Sequence, residues 1–392
     1  MLNIIQGVIQ DIMEAKTFLF SNVDELITQQ KTLVGFKPSF VIAFASPEFF
    51  TEPQFLNTLN GLCINTIGCS TAGEVAGKQV YEHSIALVLV RFESNAYVRL
   101  YEETLPNMQS SFTTGQTLSK QIEVDKLRGI YVLAPGIDIN GSALISGLLE
   151  NLPKDVGISG GLAGDNGAFE QTHVLSPTGV SSQKVVAIGF YGDKLHFGYG
   201  AHGGWRSFGP SRSVTKATEN QLFELDDMPA LDIYKRYLGE YAKDLPSSGL
   251  LFPFEVLDDD GEPTGLIRTI LGVDEQTNSL ILAGEIKETH YLRLMHASTD
   301  DLIDGAAKAI GLANSKPPTS STCLAIITSC VGRKLVMGDR VEEEIEEVSR
   351  QLQANTTISG FYSYGEISPF HDTTHCKLHN QTLTMMLLRE LI

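Results

Sequence analysis

Ile67-Gly68-Cys69-Ser70-Thr71-Ala72-Gly73-Glu74 is a buried strand end that gives way to small residues and closes on a glycine followed by an acid. The same design returns in Ile158-Ser159-Gly160-Gly161-Leu162-Ala163-Gly164-Asp165 and in Ile358-Ser359-Gly360-Phe361-Tyr362-Ser363-Tyr364-Gly365-Glu366. Each glycine is expected to supply a positive φ or a close backbone approach, and each Gly-acid pair sets a carboxylate beside backbone amides at a strand end.

Reading outward from these loops gives one pattern three times. An apolar strand (40–44, 130–133, 324–327) leads into a helix (54–60, 143–149, 341–352), then the Gly-acid loop, then a closing strand (85–90, 185–190, 383–388). In the third helix Ile345, Val348 and Leu352 recur at helical spacing. Between the second and third copies, two apolar runs at 266–271 and 280–283, separated by Asp274-Glu275-Gln276-Thr277-Asn278, read as a hairpin. Asp258-Asp259-Asp260-Gly261 reads as a turn, since the alternating ligands of a calcium loop are missing.

These elements predict a mixed α/β (α+β) fold: two related domains, 1–224 and 225–392, with mixed sheets flanked by helices and face-to-face stacking of sheets as one arrangement. The length of 392 residues, with 42% hydrophobic content, suits more than one core. The 29 basic residues are outnumbered by 47 acidic ones, and a net charge of -18 repels phosphate backbones and anionic lipid, so neither nucleic acid nor a membrane is an expected partner. The opening MLNIIQGVIQDIMEAK lacks a basic n-region and a cleavage site, and no later run reaches bilayer length, which places the protein in the cytoplasm. Cys63, Cys69, Cys323, Cys330 and Cys376 form no C-x-x-C pair and are expected as reduced thiols.

The candidate ligand-binding residues lie on and beside the three loops: Cys69, Ser70, Thr71 and Glu74 on the first, Asp165 on the second, Tyr364 and Glu366 on the third. Asn140, in the loop after the second copy's first strand, either lines the same pocket or caps the helix that follows. Thr328-Ser329-Cys330-Val331-Gly332-Arg333 directly follows a buried strand, where α/β proteins place binding residues. Arg333 either grips a ligand carboxylate or pairs with an acidic neighbour, and Cys330 is a nucleophile or a small hydrophobe. The alternative is a single solvated or turn-building role for each Gly-acid pair. His371, His375 and His379 lie four apart but on no expected helix, and no Gly-Lys-Ser/Thr follows Gly68–Gly73, so neither a metal, a cofactor nor a Walker nucleotide site is expected.

The Gly68–Glu74, Gly160–Asp165 and Gly360–Glu366 stretches, with Gly204-Trp205, Gly209-Pro210 and Cys330-Val331-Gly332-Arg333, resemble the FIST domain family, with both its N- and C-terminal halves. The likeness runs from about Ser39 to the last strand. It implies a sensory module of signal transduction that binds small ligands, amino acids among them, and passes its signal to a partner protein. An amino acid offers a carboxylate for Arg333 or loop amides and an ammonium for Glu74, Asp165 or Glu366, a burial of charge that succeeds only with both ends paired. Two rival functions remain open at this stage: a hydrolase or transferase using Cys330, and an acidic protein-interaction scaffold without a polar pocket at the loops.

Overall fold

The computed structural model describes residues 13–315, 322–369 and 376–391. The first copy runs through β1 (Met13–Phe20), α1 (Val23–Gly35), β2 (Phe40–Ala45), α2 (Pro53–Asn60), β3 (Thr66–Ser70), β4 (Glu74–Ala76), β5 (Gln79–Tyr81) and β6 (Ile85–Phe92). The second repeats this order in β7 (Tyr97–Thr104), α3 (Ser111–Gln121), β8 (Leu127–Ala134), α4 (Gly141–Leu149), β9 (Gly157–Leu162), β10 (Val174–Ser176), β11 (Gly179–Ser181) and β12 (Lys184–Tyr191).

The third copy opens with β13 (Leu195–His202) and is then interrupted. The insertion comprises β14 (Arg206–Thr218), β15 (Gln221–Leu225), β16 (Met228–Pro229), α5 (Ala230–Leu238), β17 (Phe254–Leu257), β18 (Pro263–Arg268), β19 (Ile270–Asp274), β20 (Ser279–Leu282) and β21 (Tyr291–His296). The copy resumes with α6 (Thr299–Ala313), β22 (Cys323–Cys330), α7 (Val331–Met337), α8 (Glu342–Gln351), β23 (Thr356–Ser363), β24 (Gly365–Pro369), β25 (Cys376–His379) and β26 (Leu383–Glu390).

The mixed α/β class read from the sequence is the class observed. Its sheets follow the threefold repeat: β1-β6-β2-β3-β10-β11, β7-β12-β8-β9-β24-β25 and β13-β26-β22-β23-β4-β5, with the insertion forming a fourth, eight-stranded sheet. Position 224 lies within β15 of that fourth sheet. In every copy the central pair, β2/β3, β8/β9 or β22/β23, is parallel.

No copy keeps its own hairpin. β4–β5 of the first copy pairs with β23 of the third, β10–β11 of the second with β3 of the first, and β24–β25 of the third with β9 of the second. The three copies are interlocked in a ring.

Alternation along the strands explains the layers. Phe40, Ile42 and Phe44 enter a core shared with Tyr131, Leu133, Leu324 and Ile326 from the other two sheets, while Val41, Ala43 and Ala45 turn outward onto α1 and α2. Glycine is required where the third strands bend. Gly160 (φ 142°) and Gly360 (φ 159°) lie so close to Val132 and Ile327 that a Cβ would stand 1.9 Å from the facing carbonyl oxygen.

Candidate functional site

The Gly-acid loops meet where the parallel strands end. Ala72 N donates to Tyr362 O and Tyr362 N to Gly73 O, both at 2.8 Å, while Gly164 N donates to Ser70 O at 2.9 Å. Tyr364 N reaches Leu162 O at 3.2 Å, and Ser70 Oγ donates to Gly164 O at 2.7 Å. The structure thus brings Ser70, Thr71, Asp165, Tyr364 and Glu366 into one region, joined largely through backbone, with Ser70 Oγ and the Tyr364 hydroxyl the side chains that cross between loops. Cys69 is fully buried at the edge of the shared core, and burial pushes its thiol well up.

Glu74 and Glu366 occupy equivalent places, each six positions after the glycine of its bend, at Gly68 and Gly360. Both are fully buried. Glu74 accepts from Ser84 Oγ at 2.6 Å, from Ser46 Oγ at 3.2 Å and from the Thr71 hydroxyl. Glu366 accepts from Ser363 Oγ and Thr382 Oγ1, both at 2.9 Å, and from Thr382 N at 3.1 Å. Burial outweighs these hydrogen bonds and raises Glu74 to about 7 and Glu366 to about 8.

Cys330 stands in the third copy where Ser46 stands in the first. Its thiol is pushed up by burial and by the nearby Glu366 carboxylate, which holds it as a neutral thiol rather than a nucleophilic thiolate. Arg333 is fully buried with Glu344: its Nε and Nη2 donate to Glu344 Oε2 at 3.1 and 2.7 Å, and its remaining bonds go to Leu302 O at 2.9 Å and to Gly203 O. Of the two readings open for Arg333, the geometry is that of the acidic pair. Asn140 is the N-cap of α4, its Oδ1 accepting from Ala143 N at 3.0 Å, while its Nδ2 donates to Glu285 of the insertion at 2.8 Å.

Asp165 differs from the other two acids. It stands five positions after Gly160, not six, and nine positions before β10 begins, whereas Glu74 itself begins β4. The extra chain forms a loop folded around the Asp165 carboxylate, which accepts from Phe169 N at 2.8 Å, Glu170 N at 2.7 Å and Gln171 N at 2.8 Å. The Tyr364 hydroxyl donates to Asp165 and accepts from Gly167 N at 3.0 Å, and its ring stacks on Phe169 with centroids 4.3 Å apart.

This braced loop is one wall of an open polar pocket of about 620 Å³. Glu170, Gln171 and Thr172 face Ile137 and Asp138 of the loop after β8, with Gln109 and Gln183 at the sides. Asp138 takes a left-handed φ of 56°, which its short polar side chain tolerates. The site lies at the C-terminal ends of a parallel pair, the common ligand position of α/β sheets. Asp138, Glu170 and the glutamines were not singled out from sequence. The signal available was the length of the stretch between Asp165 and β10.

His379 is buried in β25 with its Nε2 3.1 Å from Ser368 O, and His371 and His375 lie outside the described residues. Among the described residues no group of histidine, cysteine and acid side chains is arranged to hold a metal.

A family model described as the FIST N domain matches residues 39–228, and one described as the FIST C domain matches residues 230–369. An uncharacterized protein of Methanocaldococcus jannaschii is 26% identical over 313 residues, covering 72% of this chain; the chain spans 58% of that relative's length. Among solved structures, the cyanuric acid hydrolase of A. caulinodans aligns at a TM-score of 0.35 and 8% identity, over 97% of this chain and 99% of that one. A second cyanuric acid hydrolase aligns at 0.34 and 8% identity, over 97% and 100%. Overlays this loose bear on neither fold nor activity.

Proposed function

The chain belongs to the FIST family, whose domains are sensory, small-ligand-binding modules of signal transduction, and on that premise we propose that it senses an amino acid or a similar small metabolite in the polar pocket between β8 and β9. The observation that carries this reading is the pocket itself, walled by the loop that Asp165 and Tyr364 brace. A pure scaffold would have no use for a polar pocket at a Gly-acid loop.

Chemistry narrows the ligand. Asp138 and Glu170 line the pocket, and no lysine or arginine stands among the described residues lining it. A ligand ammonium therefore finds two carboxylates, while an amino acid's own carboxylate, for which the lining holds no cation, is left to the carboxamide N–H groups of Gln109, Gln171 and Gln183 and to water at the open mouth. In this reading Asp165 and Tyr364 position the wall, while Cys69, Ser70, Thr71, Glu74, Cys330, Arg333 and Glu366 hold the frame behind it. The five cysteines are free thiols, which suits a cytoplasmic setting, and the signal leaves through a partner protein.

Titration calorimetry with a panel of free amino acids and their amines tests the proposal. A selective ligand is expected to bind the wild-type protein and to lose at least tenfold in affinity, about 1.4 kcal/mol, in Glu170→Gln or Asp138→Asn. Binding that survives both substitutions unchanged would place the ligand elsewhere.

A further inference from the structure

The segment between the first strand and the first helix of a copy decides what stands at the end of its sheet. In the first copy it is only Ser21 and Asn22, the latter the N-cap of α1. In the second it is 105–110, which lines the polar pocket, and in the third it is 203–298, which carries the insertion. The strand registers make the two longer segments comparable. Gly160 faces Val132, which pairs with Ala187, which pairs with Tyr101; Gly360 faces Ile327, which pairs with Met385, which pairs with Gly200. Tyr101 and Gly200 are therefore equivalent, and so are Leu105 and Gly204, Pro106 and Trp205, and, just before β12 and β26, Gln183 and Gln381.

In the second copy Leu105 N donates to Gln183 O at 2.9 Å. In the third the equivalent carbonyl, Gln381 O, instead accepts the Trp205 indole at 2.8 Å, and Gly204 N turns to His202 Nδ1 at 3.1 Å. A side chain thus replaces the backbone bond, and a cleft of about 160 Å³ lies there between the ring and the insertion. Its walls are fixed. Arg333 donates to Gly203 O, and Gly204 (φ 83°) lies against the start of α6, where a Cβ would stand 2.1 Å from Asp301 O. Across the cleft, Ile267, Glu255 and Arg293 stand side by side on β18, β17 and β21, with Met295 on the same face as Arg293. Glu255 Oε2 accepts from Arg293 Nε at 3.0 Å, from Arg293 Nη2 at 2.7 Å and from Ser207 Oγ at 2.5 Å. Among the described residues nothing donates to Glu255 Oε1.

We infer that this cleft is a second ligand site, which takes an uncharged single-ring molecule bearing a hydrogen-bond donor, its ring against Trp205, Ile267 and Met295 and its O–H or N–H on Glu255 Oε1. Size sets the ring count: an apolar cavity of roughly 150 Å³ holds one benzene. Charge sets the rest, because Arg293 already balances Glu255 and leaves an acceptor rather than a vacant ion pair. The two pockets stand at equivalent places in two copies, each where chain is added to the repeat. They share no lining residue, so this site stands whether or not the amino-acid reading does.

Trp205 is the one tryptophan of the chain and lines the cleft, so its emission reports the site in the wild-type protein. Excited at its red edge, where phenol does not absorb, it is expected to change saturably with phenol at millimolar concentration or below. Phenol is expected to bind at least tenfold more tightly than fluorobenzene, a ring of the same size without a donor. Glu255→Gln, whose carboxamide keeps its oxygen on Arg293 and turns N–H to the cleft, is expected to erase that preference. Ala201→Phe, which places a ring in the cleft, is expected to weaken both probes at least tenfold; Ile267→Phe is the second plug, should the first fail to fold. Glu170→Gln is expected to leave phenol binding unchanged, which separates this site from the polar pocket. No saturable change with phenol, equal affinity for phenol and fluorobenzene, equal binding to a folded plugged variant, or loss of phenol binding in Glu170→Gln would each overturn the assignment.

Discussion

Glu366 lies in a shell of hydroxyls, with Cys330 and Arg333 behind it and His379 across the strand pair. Its proton is retained to about pH 8 in the folded chain, against an ordinary value of 4.5, and Glu74 behaves likewise to about 7. Between pH 4.5 and these values the unfolded chain binds fewer protons than the folded one, so stability falls as pH rises through the window and is constant again above it. The neutral isostere removes the effect. Relative to wild type, Glu366→Gln is expected to gain stability as pH rises from 5 to 8, by on the order of 3–5 kcal/mol, measured by urea unfolding at several pH values. A stability difference between wild type and variant that stays constant from pH 5 to 8 would show that Glu366 is ionised inside the fold. Buried acids of this kind are visible in sequence only as Gly-acid pairs. Nothing local shows that Ser84 and Thr382, ten and sixteen residues away, turn in to meet them.

At the scale of elements, the loop from Asp165 to β10 is what separates the second copy from its sisters. One carboxylate and one phenol hold four of its amides. Tyr364→Phe keeps the ring stacked on Phe169 but removes the hydroxyl, so amide exchange at Gly167 is expected to rise about tenfold, the worth of one hydrogen bond, with the rest of the sheet unchanged. Unaltered exchange there would show that Asp165 alone shapes the wall. The strands and helices flanking each Gly-acid loop were legible because they are continuous apolar runs or helical stripes. The first strand of every copy and the first helix of the first two were not. β1 and β13 are edge strands of mixed burial, without clean alternation. α6 did advertise itself, through the capping box of Ser298 and Asp301.

Across the whole molecule, the threefold repeat was readable, but its interlocking was not. A hairpin such as β4–β5 has the same local pattern whichever sheet receives it, and only long-range pairing with β23 decides. The same limit applies to the site. The three Gly-acid loops meet, as their shared pattern suggests, but the exchange of hairpins closes that region with backbone hydrogen bonds and buried carboxylates. An open polar pocket remains where the second copy departs from the repeat. In the function proposed above, the ring scaffold is the frame and the departure from the repeat is the ligand site.

Amide hydrogen exchange across the chain, with and without the tightest-binding amino acid of the panel, tests that claim most directly. The account predicts protection concentrated in residues 166–172 and 137–139, the two loops that form the pocket wall. Protection confined instead to the cleft where Gly203, Trp205 and Thr382 face the insertion would contradict it and move the sensory site to the third copy.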